Sequence, residues 1–201
     1  MSWQAQHHYT PEEYLALERQ ADTKSEYFAG EIYVMVGASP AHNLIVTNTV
    51  RELSAHLKGR PCRVYANDQR VKVSPTGLYT YPDIVVTCGA ERFDEKDRDT
   101  LLNPRVIIEV LSRTTESYDR GAKFEHYRSL DTLAEYLLVA QDRPHLEHYR
   151  RQPDGPWLFS DASGLAAVIE LAAIDCRLAL AEVYDKVPLE TEGPGHPPRV
   201  G

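Results

Sequence analysis

Apolar residues along this chain follow two spacings, helical in the first third and strand-like beyond it. Thr10-Pro11-Glu12-Glu13 combines a Thr N-cap, Pro at the first helical position and Glu three residues after the cap. It predicts a short helix to about Gln20. Tyr27-Phe28 and Ile32-Tyr33-Val34-Met35-Val36 flank Ala29-Gly30 and predict a hairpin. Ser39-Pro40 opens a second helix, in which Ile45/Val46, Val50, Leu53 and Leu57 recur at helical spacing up to Gly59. Strands are then predicted at Arg63–Ala66, Arg70–Val73, Tyr81–Thr87, Val106–Leu111, Glu135–Val139, Leu146–Tyr149, Trp157–Ser160 and Ala166–Leu171. Gly89–Asn103 is charged and reads as a loop with room for a helical turn, Asp119–Leu130 as a helix with Phe124 and Tyr127 apolar, and Leu178–Tyr184 as a last short helix. The mixture predicts an α/β or α+β fold with helices covering a mixed sheet.

Two of the strand-like runs carry a carboxylate. Tyr81-Pro82-Asp83-Ile84-Val85-Val86 and Val106-Ile107-Ile108-Glu109-Val110-Leu111 are otherwise suited to a sheet covered on both faces. An ionised acid there costs several kcal/mol unless a cation meets it. Asp83 taken alone could equally be a strand-start acid in solvent or beside an Arg or Lys, because Pro82 favours an edge or a strand start. Glu109, with three aliphatic residues before it and two after, is harder to satisfy that way. Together the two acids point to a metal site in the middle of a sheet.

Composition narrows the class. The 201 residues are 42% hydrophobic and 26% charged, enough for one soluble domain with a sizeable core. Residues 9–186 are expected to form it, between a flexible N-terminus (1–8) and a Pro-rich tail (187–201) expected to be disordered. No run approaches a membrane span, and Met1 to His8 lack a signal-peptide pattern. Cys62, Cys88 and Cys176 are odd in number and far apart, which argues against a disulfide framework. Cys62 and Cys88 read as small core residues, and the expected compartment is a reducing cytoplasm. The net charge of −8 runs against tight, sequence-independent binding of nucleic acid, and from Gly89 to Leu130 eight Lys/Arg face nine Asp/Glu. Metal-binding acids add negative charge that a metal offsets, so a local positive surface is not excluded.

The segment after Glu109 passes from strand through a polar loop into a helix. This puts Lys123 about one turn inside the helix, where it could point back to the strand's C-terminal end. Spacing alone favours instead a solvated lysine paired with Asp119 one turn earlier, worth a few tenths of a kcal/mol. His145-Leu146-Glu147-His148 looks like a ligand cluster, but on a strand the two histidines point to opposite faces. Thr114, Thr115 and Ser117 lack an evident base, and no glycine-rich phosphate loop is present.

Pro82-Asp83, Glu109-Val110-Leu111-Ser112, Tyr118-Asp119-Arg120-Gly121-Ala122-Lys123 and Glu135-Tyr136-Leu137-Leu138-Val139 occur in the order found in a known group. So do Tyr9-Thr10-Pro11-Glu12-Glu13-Tyr14, the hairpin from Glu26 to Ile32, and His42. The chain resembles the Uma-two family of restriction-endonuclease-like proteins, within the PD-(D/E)xK nuclease superfamily, from about Tyr9 to Asp185.

The resemblance implies a restriction-endonuclease-like core with Asp83 and Glu109 on neighbouring strands. It implies that they hold Mg²⁺ or Mn²⁺ together with the backbone carbonyl of Val110, for endonucleolytic hydrolysis of DNA. Such an ion prefers oxygen ligands and keeps several waters. It would polarise the phosphoryl oxygen, activate a water and neutralise the leaving oxygen. Leu111 stands where the superfamily pattern has lysine, and Lys123 matches the position to which this family moves it, as the stabiliser of phosphorane charge. Arg113 stands where the family often has proline. Glu26 is implied as a further acid at the metal, with an exposed turn residue as the alternative. His42 and Ser112 are implied as phosphate contacts or as supports of the ligands, although on sequence alone His42 reads rather as a partly exposed first-turn residue. A homodimer is expected by analogy with restriction enzymes, with Trp157, Phe159 and Ala166–Ala173 as surface for it unless they are core. The acidic charge and the missing strand lysine leave an alternative, a catalytically silent domain of the same fold that binds nucleic acid or protein.

Overall fold

The computed structural model describes residues 7–189. Its centre is a six-stranded mixed sheet in the order β11-β10-β9-β8-β6-β3, comprising Trp157–Ser163, His145–Arg151, Glu135–Ala140, Val106–Leu111, Ile84–Cys88 and Cys62–Ala66. Only the β8–β9 pair in it is parallel. A second sheet, β2-β1-β5-β4-β7, comprises Glu31–Val34, Ser25–Phe28, Leu78–Thr80, Arg70–Val73 and Thr100–Leu101. A separate hairpin pairs β12 (Val168–Leu171) with β13 (Cys176–Ala179).

The period of two along the central strands decides what each face meets. Val106, Ile108 and Val110 of β8 turn to one side, with Ile84 and Val86 of β6 and Leu137 and Val139 of β9. That side is covered by Ile45, Val46 and Leu53 of helix α2 (Pro40–His56), by the β12–β13 hairpin and by the short helix α5 (Leu180–Val183). Ile107 and Leu111 turn the other way, with Tyr136 and Leu138, against Tyr127, Leu130, Val73 and Leu78. Glu109 shares the parity of Ile107 and Leu111, so it faces the gap between the large sheet and the small one.

Local rules explain the first elements. Helix α1 (Pro11–Glu18) starts with the reciprocal capping box predicted at Thr10 and Glu13. The β1–β2 hairpin turns through Ala29 and Gly30, both at positive φ (51° and 91°), the backbone of a tight two-residue turn. A Cβ at position 30 would also lie 2.7 Å from His8 Nδ1. His8 therefore sits against the hairpin, inside the stretch expected to be a flexible N-terminus.

Several expectations are corrected. Leu78–Thr80 is a strand the pattern did not reveal, because three residues are too few to show alternation. Tyr81 and Pro82 precede β6 instead of belonging to it. Gly89–Asn103 contains the short strand β7 and a bridge from Phe93 to Leu101 in place of a helical turn. Asp119–Leu130 is not one regular helix: α3 (Glu116–Tyr118) runs through a π turn (Asp119–Lys123) into α4 (Phe124–Tyr127). Leu178 and Ala179 close β13 before α5 begins, since they complete its pairing with β12. Cys62 and Cys88 form a disulfide, being directly opposed on the antiparallel pair β3–β6 despite a separation of 26 positions along the chain. Spacing along the chain hides such a partner, and the cysteine-based expectation of a reducing compartment loses its support. Among the described residues no helix is long and apolar enough to cross a membrane. Of the tail expected to be disordered, residues 190–201 lie outside the described residues, while Leu189 packs on the core. Of the surface expected for a dimer, Trp157 packs on Phe124, Ala167 and Ala173 pack on the core, and Phe159 is about half exposed.

One buried ionic network fixes the approach to Asp83. Arg70 on β4 donates to Thr100 at 2.9 Å, to the Tyr81 hydroxyl at 2.7 Å and to the Asp97 carboxylate, and Asp97 also accepts from Arg19 at 3.1 Å. Burial works to raise the Asp97 carboxyl, but hydrogen bonds from Thr100, Arg70 and Arg19 outweigh it and hold it below its ordinary 3.8. A carboxylate with a lowered folded-state value contributes stability that is whole above the unfolded value and is lost as pH falls through the folded one. Asp97→Asn is therefore expected to cost about 3–5 kcal/mol at neutral pH by stranding Arg70. The gap between the two proteins should narrow below the ordinary carboxylate value. Urea unfolding at pH 7 and pH 3 checks this, and equal stability of the two proteins at pH 7 would refute it.

Candidate active site

Asp83 immediately precedes β6, and the β6–β8 register (Ile84 opposite Ile108) carried one step back sets it across from Glu109. The two acids are linked through the backbone. Asp83 N–H donates to Glu109 Oε2 at 3.2 Å, and Val110 N–H donates to Asp83 Oδ2 at 2.7 Å. His42 Nε2 lies 3.1 Å from the same Asp83 oxygen. Its helix, capped by Ser39, delivers the ring from the first turn.

Lys123 comes from the opposite direction. It is 6% exposed, and its Nζ lies 3.0 Å from Glu109 Oε1, 3.3 Å from Glu26 Oε1 and 3.5 Å from Asp119 Oδ1. The pairing with Asp119 one turn earlier exists, but in the interior. Glu26 is buried on β1 and accepts from Thr80 Oγ1 of β5. The small sheet thus supplies one acid and its hydrogen-bond donor, while the large sheet supplies Glu109 and Asp83.

Three more residues hold this arrangement, of which the sequence marks Tyr127 only as an apolar helix position and Asp119 only as a solvated partner of Lys123. Tyr127, fully buried, donates to Glu109 Oε1 at 2.8 Å, and its oxygen lies 3.3 Å from Thr80 Oγ1. Asp119 is 3% exposed, and its backbone carbonyl accepts from Tyr136 OH at 3.0 Å. The four-residue steps Asp119, Lys123 and Tyr127 mark one helix face and were the available signal. Thr80 gave none, because its strand was not visible. Leu111 packs with Ile107 and Tyr127 in the core, so the lysine contact to Glu109 is made from the helical segment instead.

Charge in the site is unbalanced. Glu26, Asp83, Glu109 and Asp119 face one ammonium and one imidazole. Burial pushes the Glu109 carboxyl up to about 8, with Lys123 opposing the rise and Asp83 and Asp119 adding to it. Burial also raises Asp119 against the pull of Lys123. For Lys123 itself burial favours the neutral amine, yet Glu109, Tyr127, Glu26 and Asp119 outweigh it and hold the ammonium well above its ordinary value. The site is rich in oxygen donors and short of positive charge.

Those donors fit a small hard cation. Both donors to Asp83 use Oδ2, and Glu109 gives Oε1 to Lys123 and Tyr127 and Oε2 to the Asp83 N–H. Among the described residues no three acid, imidazole or thiol groups converge closely enough to hold a metal by themselves. Two carboxylates supplemented by water and substrate phosphate suit Mg²⁺. The contact observed at Val110 is made by its N–H. Ser112 lies just beyond β8, with its hydroxyl 3.0 Å and 2.8 Å from those of Thr114 and Thr115. His145 and His148 point apart, to Ser163 Oγ at 2.8 Å and to the buried Glu135 at 3.7 Å.

A family model described as "Uma2: Putative restriction endonuclease" matches residues 11–181. The chain belongs to this family. Two uncharacterized proteins of Synechocystis sp. (strain ATCC 27184 / PCC 6803 / Kazusa) are similar to this Uma2 protein. One, slr1290, is 35% identical over 87% of this chain and 90% of its own length. The other, sll1609, is 36% identical over 81% and 92%. The fold matches the crystal structure of "a putative nuclease belonging to DUF820" from Anabaena variabilis ATCC 29413, with a TM-score of 0.70. That match has 20% identity and covers 86% of this chain and 96% of the other. The restriction-endonuclease-like architecture expected for this Uma2 chain is thus the one observed.

Removing the ammonium isolates the site's structural contribution. Lys123→Met is expected to lower unfolding free energy by about 3–5 kcal/mol in metal-free buffer, because buried carboxylates lose their common counter-charge. Tyr127→Phe, which deletes one hydrogen bond to Glu109, is expected to cost about 1 kcal/mol. Urea titrations in EDTA rank the two, and a Lys123→Met protein as stable as the wild type would contradict the buried contact.

Proposed function

We propose that this Uma2 protein is a metal-dependent endonuclease that hydrolyses DNA phosphodiester bonds. The observation that carries the reading is the linkage of the two strand acids, with Asp83 N–H donating to Glu109 Oε2 at 3.2 Å and Val110 N–H to Asp83 Oδ2 at 2.7 Å. The family's description as a putative restriction endonuclease supports nuclease-like chemistry.

In this reading Asp83 and Glu109 hold Mg²⁺ or Mn²⁺, with the Val110 backbone carbonyl completing the protein ligands and Glu26 at the margin. A divalent ion so held supplies Lewis-acid polarisation of the phosphoryl oxygen and lowers the pKa of an attacking water. His42 fixes the rotamer of Asp83 through Oδ2, and Tyr127 does the same for Glu109 through Oε1. Lys123 keeps its proton because its acidic neighbours outweigh burial. Its Nζ therefore meets the negative charge that develops on the phosphate oxygens as the bond breaks. Tyr127 and Thr80 each donate to one oxygen of the pair, Glu109 Oε1 and Glu26 Oε1, and so hold both carboxylates in place.

Cleavage of supercoiled plasmid with Mg²⁺ or Mn²⁺ tests this. Wild type is expected to nick, and Asp83→Ala or Glu109→Ala, folded by circular dichroism, to lose activity by at least about a hundredfold. Equal cleavage by the wild type and both variants would sink the assignment. A folded wild type that neither cleaves nor takes up Mn²⁺ by calorimetry would favour a silent binding domain. The direct Lys123–Glu109 ion pair is the observation that favours that second reading.

A further inference from the structure

A cleft of about 730 Å³ opens where β8 and β9 end, between the first turn of α2 and the π turn. Ser112 and Arg113 follow β8, Gln141 and Arg143 follow β9, and Arg120 projects from the π turn. The C-terminal ends of neighbouring parallel strands are where open sheets place ligands. The strand rises about 3.3 Å per residue, so Ser112 lies roughly 10 Å beyond Glu109. The cleft therefore opens about 10 Å along the strand from the candidate active site.

We propose that this cleft holds backbone phosphates of the nucleic-acid strand next to the scissile bond, through Arg113, Arg143 and the polar ends of Ser112 and Gln141. The proposal rests on the nuclease reading and names the part of the surface that binds the substrate strand. Ser39 Oγ donates to Gln141 Oε1 at 2.6 Å, which commits the oxygen end of that amide and leaves its NH₂ donors. Two acids also line the cleft. Glu116 is engaged by Arg120 Nη1 at 2.8 Å, and Asp142 by its sequence neighbour Arg143 at 3.2 Å. Arg120 is held further by Glu147 at 2.8 Å and serves as a fixed wall. The Asp142–Arg143 pair is exposed and contributes little, whereas a guanidinium gripping a phosphate with two hydrogen bonds is stronger. A phosphate therefore wins Arg143 from Asp142. Arg113 lies exposed on the same wall. Three arginines against two acids line the cleft, a small local surplus of positive charge on a chain of net charge −8.

The salt dependence of DNA binding, read by anisotropy of a short fluorescent duplex in EDTA so that nothing is cut, tests this. Each arginine that neutralises a phosphate contributes about one unit to the slope of log K against log salt. Arg113→Gln/Arg143→Gln is expected to lower that slope by about two and to weaken binding about tenfold, and each single variant to lower it by about one. Arg177→Gln, on the distant β12–β13 hairpin, is expected to leave both unchanged. An unaltered slope in the double variant would overturn the cleft assignment while plasmid cleavage, and its dependence on Asp83, still stood for the nuclease reading. Wild type that binds no duplex would overturn it as well. So would displacement of the duplex by a nucleoside monophosphate at equal ionic strength, which marks a pocket for a single small phosphate.

Discussion

The buried ammonium of Lys123 is the constraint around which the centre of this protein is built. A charge taken out of water costs several kcal/mol, and only close opposite charges with good geometry offset that. Here they come from three separate elements: Glu109 on β8, Glu26 on β1 and Asp119 at the start of the π turn. At Glu109 and Asp119 the ammonium pulls against burial toward the ionised form. The two sheets and the helical segment therefore converge on one point, and their spacing is set by the reach of one lysine side chain.

The rest of the architecture keeps those elements in place. Phe124, the residue after Lys123, stacks on Tyr136 at 5.2 Å and touches Tyr149 and Trp157, which anchors the helical segment to the large sheet. The π turn widens the backbone where Lys123 turns inward, and Tyr136 satisfies the carbonyl of Asp119. On the other flank Arg70 ties Tyr81 to Asp97 and Thr100, and Tyr81 lies two residues before Asp83. The disulfide between Cys62 and Cys88 adds a covalent tie between edge strand β3 and β6, the strand that Asp83 precedes.

Charge is separated along the strand direction rather than averaged over the surface. Acids cluster where β6 and β8 meet, and arginines gather just past the ends of β8 and β9. At physiological salt, interactions between exposed charges fade over about 8 Å. A net charge of −8 on the whole chain thus says little about the potential at one cleft. In the proposed nuclease the two regions do different work. The acidic part holds a cation and the reacting phosphate, and the arginine-lined part holds the strand beside it.

Much of this was legible in the chain because local physics decides it. The capping box at Thr10, the Ala29-Gly30 turn and the all-buried runs of β8 and β9 depend on neighbours within a few residues, and they formed as read. A carboxylate inside an aliphatic strand announces a partner, so Asp83 and Glu109 stood out. Its partner's identity is a different matter. Whether Lys123 faced solvent or Glu109, whether Glu26 was an exposed turn residue, and that Thr80 and Tyr127 join them depended on how two sheets and a π turn pack. The Cys62–Cys88 pairing likewise required the β3–β6 register, which no spacing along the chain encodes. Sequence by itself determined most of the helices and strands and which charges are uncomfortable in them. Tertiary structure decided which charges meet, because a buried ion is satisfied only within about 4 Å, and elements far apart in the chain come that close only when packed.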